Sequence, residues 1–348
     1  MANDPTWVGL ARGLLILTAI WWAWVGYAWL TNEVDPNAGR SRLVVFAAMA
    51  AMLVAALAIP GAFGDDGVLF AGATLVVRLL QILLFWFATR RDSELHRQVA
   101  RLAIGLIIMP TLFVAAAFLD DPAREVAWAL ILLADYVGAI LAGVEGYRIS
   151  PGHFAERHGL IVIIALGESI VALGVGAGGL EIDLGVIVAA VLGVAVAAAL
   201  WWAYFDVVAV MAERRLGAAV GRARNAMARD SYSFLHLPMI AGIVLLALGI
   251  KKTLGDVDEH LKWEGAVALC GGVALYLIAH IAFRWRNVHT FNRHRSVAAV
   301  VLLALIPVAH QVPALVSLAL VALVCVGLIT YEAVRFREAR ARLRASLT

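Results

Sequence analysis

The sequence is poor in charge, and this shortage limits the class of protein first. Charged residues make up 15% of the 348 residues and hydrophobic residues make up 63%; the mean hydropathy is +0.88. Soluble domains carry about 25% charged and about 45–50% apolar residues. An ordinary soluble enzyme, a disordered chain and a disulfide scaffold are therefore excluded. The composition predicts an all-α, polytopic integral membrane helical bundle.

Cysteine, lysine and catalytic motifs are also scarce. Cys270 and Cys325 lie in apolar runs without C-x-x-C spacing, so we expect small interior side chains. The three lysines share one connection, 251–262, and none lies within an apolar window to form a retinal Schiff base. No connection carries a P-loop, G-x-G-x-x-G or G-x-S-x-G motif. We expect no enzyme activity, no metal site and no nucleic-acid partner.

Long hydrophobic runs fill most of the chain. A spanning helix takes about 20 apolar residues, and eleven windows meet this length approximately. They are 7–30, 42–62, 67–89, 99–119, 124–147, 157–178, 183–209, 233–250, 263–283, 296–312 and 314–335. The longest connection, 210–232, is too short for an extramembrane domain. The lipid bilayer is therefore the expected surrounding of the chain.

Two stretches of the sequence resemble each other in order. Trp21-Trp22-Ala23 matches Trp201-Trp202-Ala203 at an offset of 180, and His96-Arg97 matches His294-Arg295 at an offset of 198. This self-similarity predicts two parallel repeats, 1–148 and 149–348, in which windows one to five correspond to windows seven to eleven. Window six has no counterpart, so we expect that the first repeat lacks its opening helix and that the reading frame upstream of Met1 encodes it.

Several motifs carry a resemblance to a known family. They are His153 to Leu160, Leu166 to Ile170, Trp21 to Trp24 with Asp35-Pro36, Trp201 to Asp206, and Leu235 to Pro238. Over nearly the whole chain the sequence resembles the bacterial low temperature requirement protein A family. The resemblance implies a twelve-helix protein of the bacterial inner membrane and leaves the activity open. The acidic-aromatic segment of the family's first helix is absent here.

Ionisable side chains within the windows are the first candidates for function, because each costs about 2.5–3.5 kcal/mol at the centre of a membrane helix. Arg78 lies mid-window with Gln81 three residues later on the same helical face. Asp135 and Glu168 lie in neighbouring windows, and we expect Arg78 to contact one of them. The cluster is interpreted either as a proton- or cation-coupling site, with Glu168 the strongest candidate, or as a buried polar network that holds helices together.

Aromatic residues form the next candidates. Trp21 and Trp22 lie too deep in the first window for an interfacial belt alone, so they line a cavity or pack against the other repeat. Trp201, Trp202 and Asp206 lie near an inner membrane surface, where an aromatic belt with an acid at the headgroups is the plainer interpretation.

Histidines supply the remaining candidates. His236 and His280 lie in neighbouring windows and could ligate haem or relay protons, although a polar contact with a carbonyl group is the more common role. His153, Glu156 and His158 do not share one helical face, so a zinc site is weakly supported.

Gly174 and Gly178 form a G-x-x-x-G, which more often indicates close packing than dimerisation and leaves a homodimer open.

Three functions follow from these candidates. The leading hypothesis is a proton- or cation-coupled transporter or permease of an unknown small solute or ion, which needs no cofactor. The alternatives are a membrane redox protein that holds haem or quinone, and a structural membrane protein without turnover.

The basic residues predict the orientation of the chain. With the N-terminus outside, 22 of the 28 lysine and arginine residues fall in inner connections and the C-terminal tail, and five fall in outer ones. A chain with Cys270 and Cys325 replaced by alanine tests this. An impermeant maleimide should label Asp258→Cys in intact cells and Ala219→Cys only after permeabilisation; the reverse pattern would contradict the orientation.

Overall fold

The architecture was analysed in a computed structural model that describes residues 4–34, 39–177, 182–338 and 340–341. These residues form helices and no strand, so the all-α prediction is confirmed for them. Six residues named or counted above lie outside the described ranges: Met1, Asp35, Pro36, Gly178, Arg342 and Arg344.

The helices follow the predicted windows closely. They are α1 (Trp7–Glu33), α2 (Gly39–Ala58), α3 (Gly67–Thr89), α4 (Ser93–Ala116), α5 (Ala123–Ala142), α6 (Pro151–Ala177), α7 (Leu184–Phe205), α8 (Val208–Ala218), α9 (Gly221–Met227), α10 (His236–Gly255), α11 (Trp263–Ala266), α12 (Gly272–Val288), α13 (Arg293–Ala309) and α14 (Ala314–Arg335). Two π-helical segments, Ala228–Phe234 and Val267–Gly271, lead directly into α10 and α12.

Nine helical stretches within the described ranges are long and apolar enough to cross a membrane. They are Trp7–Glu33, Gly39–Gly61, Gly67–Thr89, Glu94–Ala116, Ala123–Ala142, Leu184–Ala218, Gly221–Gly255, Trp263–Val288 and Ala314–Arg335. The chain is therefore a multi-pass membrane protein. Windows 157–178 and 296–312 are helical as α6 and α13, but they are not among the nine, so a count of eleven spans stays a prediction.

Two boundaries differ from the predicted windows, one because polar residues are helical and one because a glycine ends a helix. The predicted connection 210–232 is mostly helical, which corrects its interpretation as a loop. Its arginines lower the hydropathy of a segment that is nevertheless helical. At α5 the error is the opposite: the helix ends at Ala142, because Gly143 takes a φ of +82°, a left-handed conformation that glycine favours. Hydropathy alone extended this window to residue 147.

Large apolar side chains remain exposed along the helices, as contact with lipid requires. In α2 the buried residues are three alanines, Ala48, Ala55 and Ala58, while Leu57 is 72% exposed. Such a helix would be insoluble in water, and its outer face has the apolar character of a lipid-facing surface.

The first compact unit consists of Val8–Phe154 with residues 219–229. Consecutive helices pack on each other from α2 to α5, and one apolar core joins side chains from α1 to α5. Trp128 is fully buried in this core and stacks on Phe113 with ring centroids 4.3 Å apart. Its indole N–H donates to the carbonyl oxygen of Phe113 at 3.0 Å, so the large ring is buried without an unpaired polar atom.

The second compact unit consists of Met1–Trp7, Ala155–Ala218 and Asp230–Thr348. Here α10 packs on α12, α12 on α13, and α13 on α14, while α7 packs on α14. The order α10-α12-α13-α14 parallels α2-α3-α4-α5 in the first unit, although the repeats 1–148 and 149–348 stay a prediction. Cys270 and Cys325 are free and buried, as expected from the sequence.

Close contact between α10 and the segment that precedes α12 depends on glycine. A Cβ atom at Gly249 would lie 2.5 Å from the Cα atom of Leu269, a backbone position that cannot move aside cheaply. At Gly327 in α14 the same addition meets nothing within 4 Å.

We therefore expect Gly249→Ala to destabilise the fold by about 1–3 kcal/mol through overpacking. Gly327→Ala should leave stability unchanged or raise it by up to about 1 kcal/mol, because alanine is the better helix former. Thermal unfolding in detergent measures both, and equal effects at the two positions would contradict the close contact.

Candidate functional site

A buried ion pair joins two spanning helices of the first unit. Arg78 lies in the middle of α3 and Asp135 lies in α5. The Arg78 Nη2 atom donates to Asp135 Oδ2 at 2.9 Å, and the two side chains are only 4% and 12% exposed. The predicted contact of Arg78 with a membrane carboxylate is thus present, and it neutralises both charges at a site where isolated ions are costly.

Gln81 completes the cluster from the same face of α3. Its Oε1 atom accepts a hydrogen bond from Arg78 Nη1 at 3.2 Å, and the side chain is buried. A Cβ atom at Gly26 of α1 would collide with the side-chain amide of Gln81. A larger residue at position 26 would therefore require the Gln81 side chain to move.

A small cavity of about 30 Å³ adjoins the pair. Its walls come from α1, α3, α4 and α5 and include Trp22, Arg78 and Asp135. A cavity of this size can hold about one water molecule. Trp22 stacks on Tyr136 with centroids 4.1 Å apart, which fixes the indole in the wall. The cavity interpretation of Trp22 is therefore supported; Trp21 is buried and its ring lies 5.0 Å from that of Trp24.

A second buried pair lies in the second unit. Arg295 of α13 contacts Glu332 of α14 through two parallel hydrogen bonds of 2.9 and 2.7 Å. Asn292 donates to the same carboxylate at 3.0 Å, and the remaining guanidinium nitrogen lies 2.8 Å from a ring nitrogen of His280. This planar, bidentate arrangement is the strong form of an arginine–carboxylate contact.

Sequence analysis did not single out this pair. Arg295 was counted among loop cations for the orientation, and Glu332 was not considered. Two features of the sequence could have pointed to the pair. Arg295 belongs to the His294-Arg295 match with His96-Arg97, and Glu332 is an isolated acid near the end of the last apolar window.

His236 is held by hydrogen bonds at both ring nitrogens. The Tyr204 hydroxyl lies 2.7 Å from Nε2, and Nδ1 lies 3.0 Å from the carbonyl oxygen of Ser231. The carbonyl can only accept, so Nδ1 carries the proton and Nε2 accepts from Tyr204. Neither nitrogen is open to an iron atom, and the plainer interpretation of His236 as a satisfied polar group is supported.

The remaining candidates have separate environments. The Asp206 side chain is 6% exposed and pairs with Arg340 at 2.7 Å, and its place at the headgroups stays a prediction. Trp201 and Trp202 are 44% and 37% exposed, which suits a belt. Glu168 belongs to α6 of the second unit, is exposed, and forms no hydrogen bond or ion pair with described residues.

These features define a class: a multi-pass helical membrane protein that buries an arginine–carboxylate pair in each of two units. The chain belongs to the bacterial low temperature requirement A (LtrA) family, whose sequence model matches residues 1–330. It is similar to the uncharacterized protein RA0937 of Rhizobium meliloti (strain 1021), with 29% identity over 288 residues that cover 79% of this chain and 69% of that protein. No solved structure matches the chain.

The geometry predicts strong coupling between Arg78 and Asp135. Arg78→Gln or Asp135→Asn should each destabilise the fold by about 3–5 kcal/mol, because each leaves an unpaired buried charge. The double variant should lose less than the sum of the two, and unfolding in detergent gives the difference.

The exposed pair of Arg222 with Glu145 is the matched control. Its side chains are 79% and 40% exposed, so Arg222→Gln should change stability little. Additive losses at Arg78 and Asp135 would contradict the pairing.

Proposed function

We propose that this protein is a proton- or cation-coupled transporter or permease of a small solute or ion, with Arg78, Asp135 and Gln81 at its coupling site. The observation that carries the proposal is the buried Arg78–Asp135 pair beside a cavity within spanning helices. Ionisable groups at this depth are costly, and in membrane proteins they mark ion and proton pathways.

The pair offers a mechanism for coupling. A proton or cation bound at Asp135 would neutralise the carboxylate and release Arg78, whose other hydrogen bond among the described residues goes to Gln81. The free guanidinium would then favour a different arrangement of α3 against α5. Breaking a buried pair is worth about 3–5 kcal/mol, which is enough to shift the balance between two conformations of a transporter.

The predicted repeat gives the proposal further support. Gln81 in α3 and His280 in α12 are 199 residues apart, next to the offset of 198 that relates His96-Arg97 to His294-Arg295. Each contacts an arginine that pairs with a carboxylate. Parallel repeats with polar sites near the midplane are typical of secondary transporters. The proposal includes the inner membrane, a cytoplasmic C-terminus and no enzyme activity, and it leaves a homodimer open.

The two alternatives predict different behaviour. A structural protein would keep the same ion pair but move no solute. A haem protein would need an open ring nitrogen, and both nitrogens of His236 already have partners, so this alternative has less support.

Proteoliposomes with an internal pH dye test the proposal. Under an imposed pH gradient, sodium, potassium and pools of amino acids, sugars, nucleosides and carboxylates are added in turn. We expect the wild-type chain to dissipate the gradient with one of these additions. Asp135→Asn should reduce this flux to the level of empty vesicles, because an amide cannot take up the proton or replace the charge.

Asp120→Asn is the matched control, since Asp120 is exposed outside the helices. Its flux should equal that of the wild type. A wild-type chain that dissipates no gradient with any member of the panel would overturn transport. Equal flux in Asp135→Asn and wild type would overturn the assignment of the coupling site.

Glu168 gives a separate prediction. Its side chain has no partner among the described residues, so Glu168→Gln should leave the unfolding temperature unchanged while it reduces the coupled flux. Asp135→Asn, in contrast, should lower both. Wild-type flux in Glu168→Gln would exclude a role of Glu168 in transport and leave Asp135 as the coupling acid.

A further inference from the structure

A pocket of the second unit has a volume of about 530 Å³ and lies where α7, α12, α13 and α14 end or begin. Pockets of about 300–1,000 Å³ are the usual size for small-molecule sites. Its walls combine four arginines with two carboxylates, Asp206 and Glu332. The pocket is distinct from the Arg78–Asp135 cluster, which belongs to the first unit.

Both carboxylates already have basic partners. Glu332 accepts two hydrogen bonds from the guanidinium of Arg295, and Asp206 forms an ion pair with Arg340. Their charges are therefore neutralised within the protein.

Two arginines of the pocket have no carboxylate partner among the described residues. Arg284 is half-buried and donates from Nε to the Thr290 hydroxyl, a neutral acceptor, at 2.9 Å. Glu332, the carboxylate that acts on its charge, already pairs with Arg295. Arg293 is exposed at the start of α13. The pocket thus carries a surplus of two positive charges.

The first turn of α13 adds to this surplus. Residues 292–295 line the pocket, and α13 is 17 residues long. The side chain of Asn292 accepts from the backbone N–H of Arg295 at 3.2 Å, which caps one amide group. The positive end of the helix dipole therefore lies in the pocket wall together with the arginines.

We propose that this pocket binds a phosphate group, presented either by an anionic phospholipid or by a small phosphorylated solute. A phosphomonoester carries about −1.5 to −2 charges at neutral pH, which matches the surplus of two. A single carboxylate carries one. Guanidinium groups are also the preferred partners of phosphate oxygens, because their planar donors match the geometry.

A pocket of the first unit is a natural comparison. It has a volume of about 500 Å³ and is lined by two arginines, Arg91 and Arg148, and two acids, Glu33 and Asp92. Hydrogen bonds from the Leu95 and Glu94 amides, together with Arg148, hold the pKa of Asp92 below its usual range. Asp92 is therefore ionised at neutral pH, and the two arginines of this pocket exceed its acids by at most one charge.

The test uses the purified full-length chain in detergent and two probes with the same headgroup. Dioleoyl phosphatidic acid represents the lipid source and glycerol 3-phosphate the soluble source. A rise of the thermal unfolding temperature with probe concentration gives an apparent Kd. We expect at least one probe to bind, whereas dioleoyl phosphatidylcholine and succinate should bind weakly or not at all.

Arg284→Gln with Arg293→Gln should weaken the apparent Kd about tenfold or more, since each removes a charged hydrogen-bond donor. Arg91→Gln in the comparison pocket should bind like the wild type. Arg293→Gln alone keeps the test usable if the double variant unfolds, because Arg293 has no partner among the described residues.

Binding of phosphatidic acid alone assigns the site to lipid, and binding of glycerol 3-phosphate assigns it to a soluble phosphate. No binding of either probe, equal binding by the double variant, or equal binding of succinate would overturn the proposal. The measurement involves no transport, so its failure is distinguishable from failure of the proposed function.

Discussion

An arginine in the middle of an apolar membrane helix requires an acid partner, because neither lipid nor neighbouring leucines can solvate its charge. Arg78 meets this requirement through Asp135, and the contact sets the depth of α3 relative to α5 in the first unit. Gln81 accepts a hydrogen bond from a second nitrogen of the same guanidinium, and Gly26 of α1 leaves space for the Gln81 side chain. One buried charge therefore constrains three helices.

The second unit also buries an arginine–carboxylate pair, with a different geometry. Its arginine lies in the first turn of α13, and its acid lies near the end of α14. His280 contacts this arginine, as Gln81 contacts Arg78 in the first unit. If the two units arose from one repeat, the buried pair persisted while the helix that supplies the arginine changed.

The positive charge is also distributed unevenly between the units. In the first unit, Arg91 and Arg148 line a pocket together with two acids. In the second unit, the pocket whose wall includes the Arg295–Glu332 pair has more arginines than acids, and Arg284 and Arg293 are the two in excess. An anion bound there would approach a buried network that continues to His280, which would connect a surface site to the interior of the unit by direct contacts.

Composition and hydropathy by themselves determined the class, the placement of the helices and the need for a partner at Arg78, because each follows from the cost of polar groups in lipid. They could not distinguish the helical segment after α7 from a loop, because both are polar. They also did not reveal the Arg295–Glu332 pair or the burial of Asp206, since an arginine in a connection has the same composition whether it faces water or folds inward. Only the tertiary structure decided which acid each arginine meets, because that depends on how the helices pack and how far each side chain reaches.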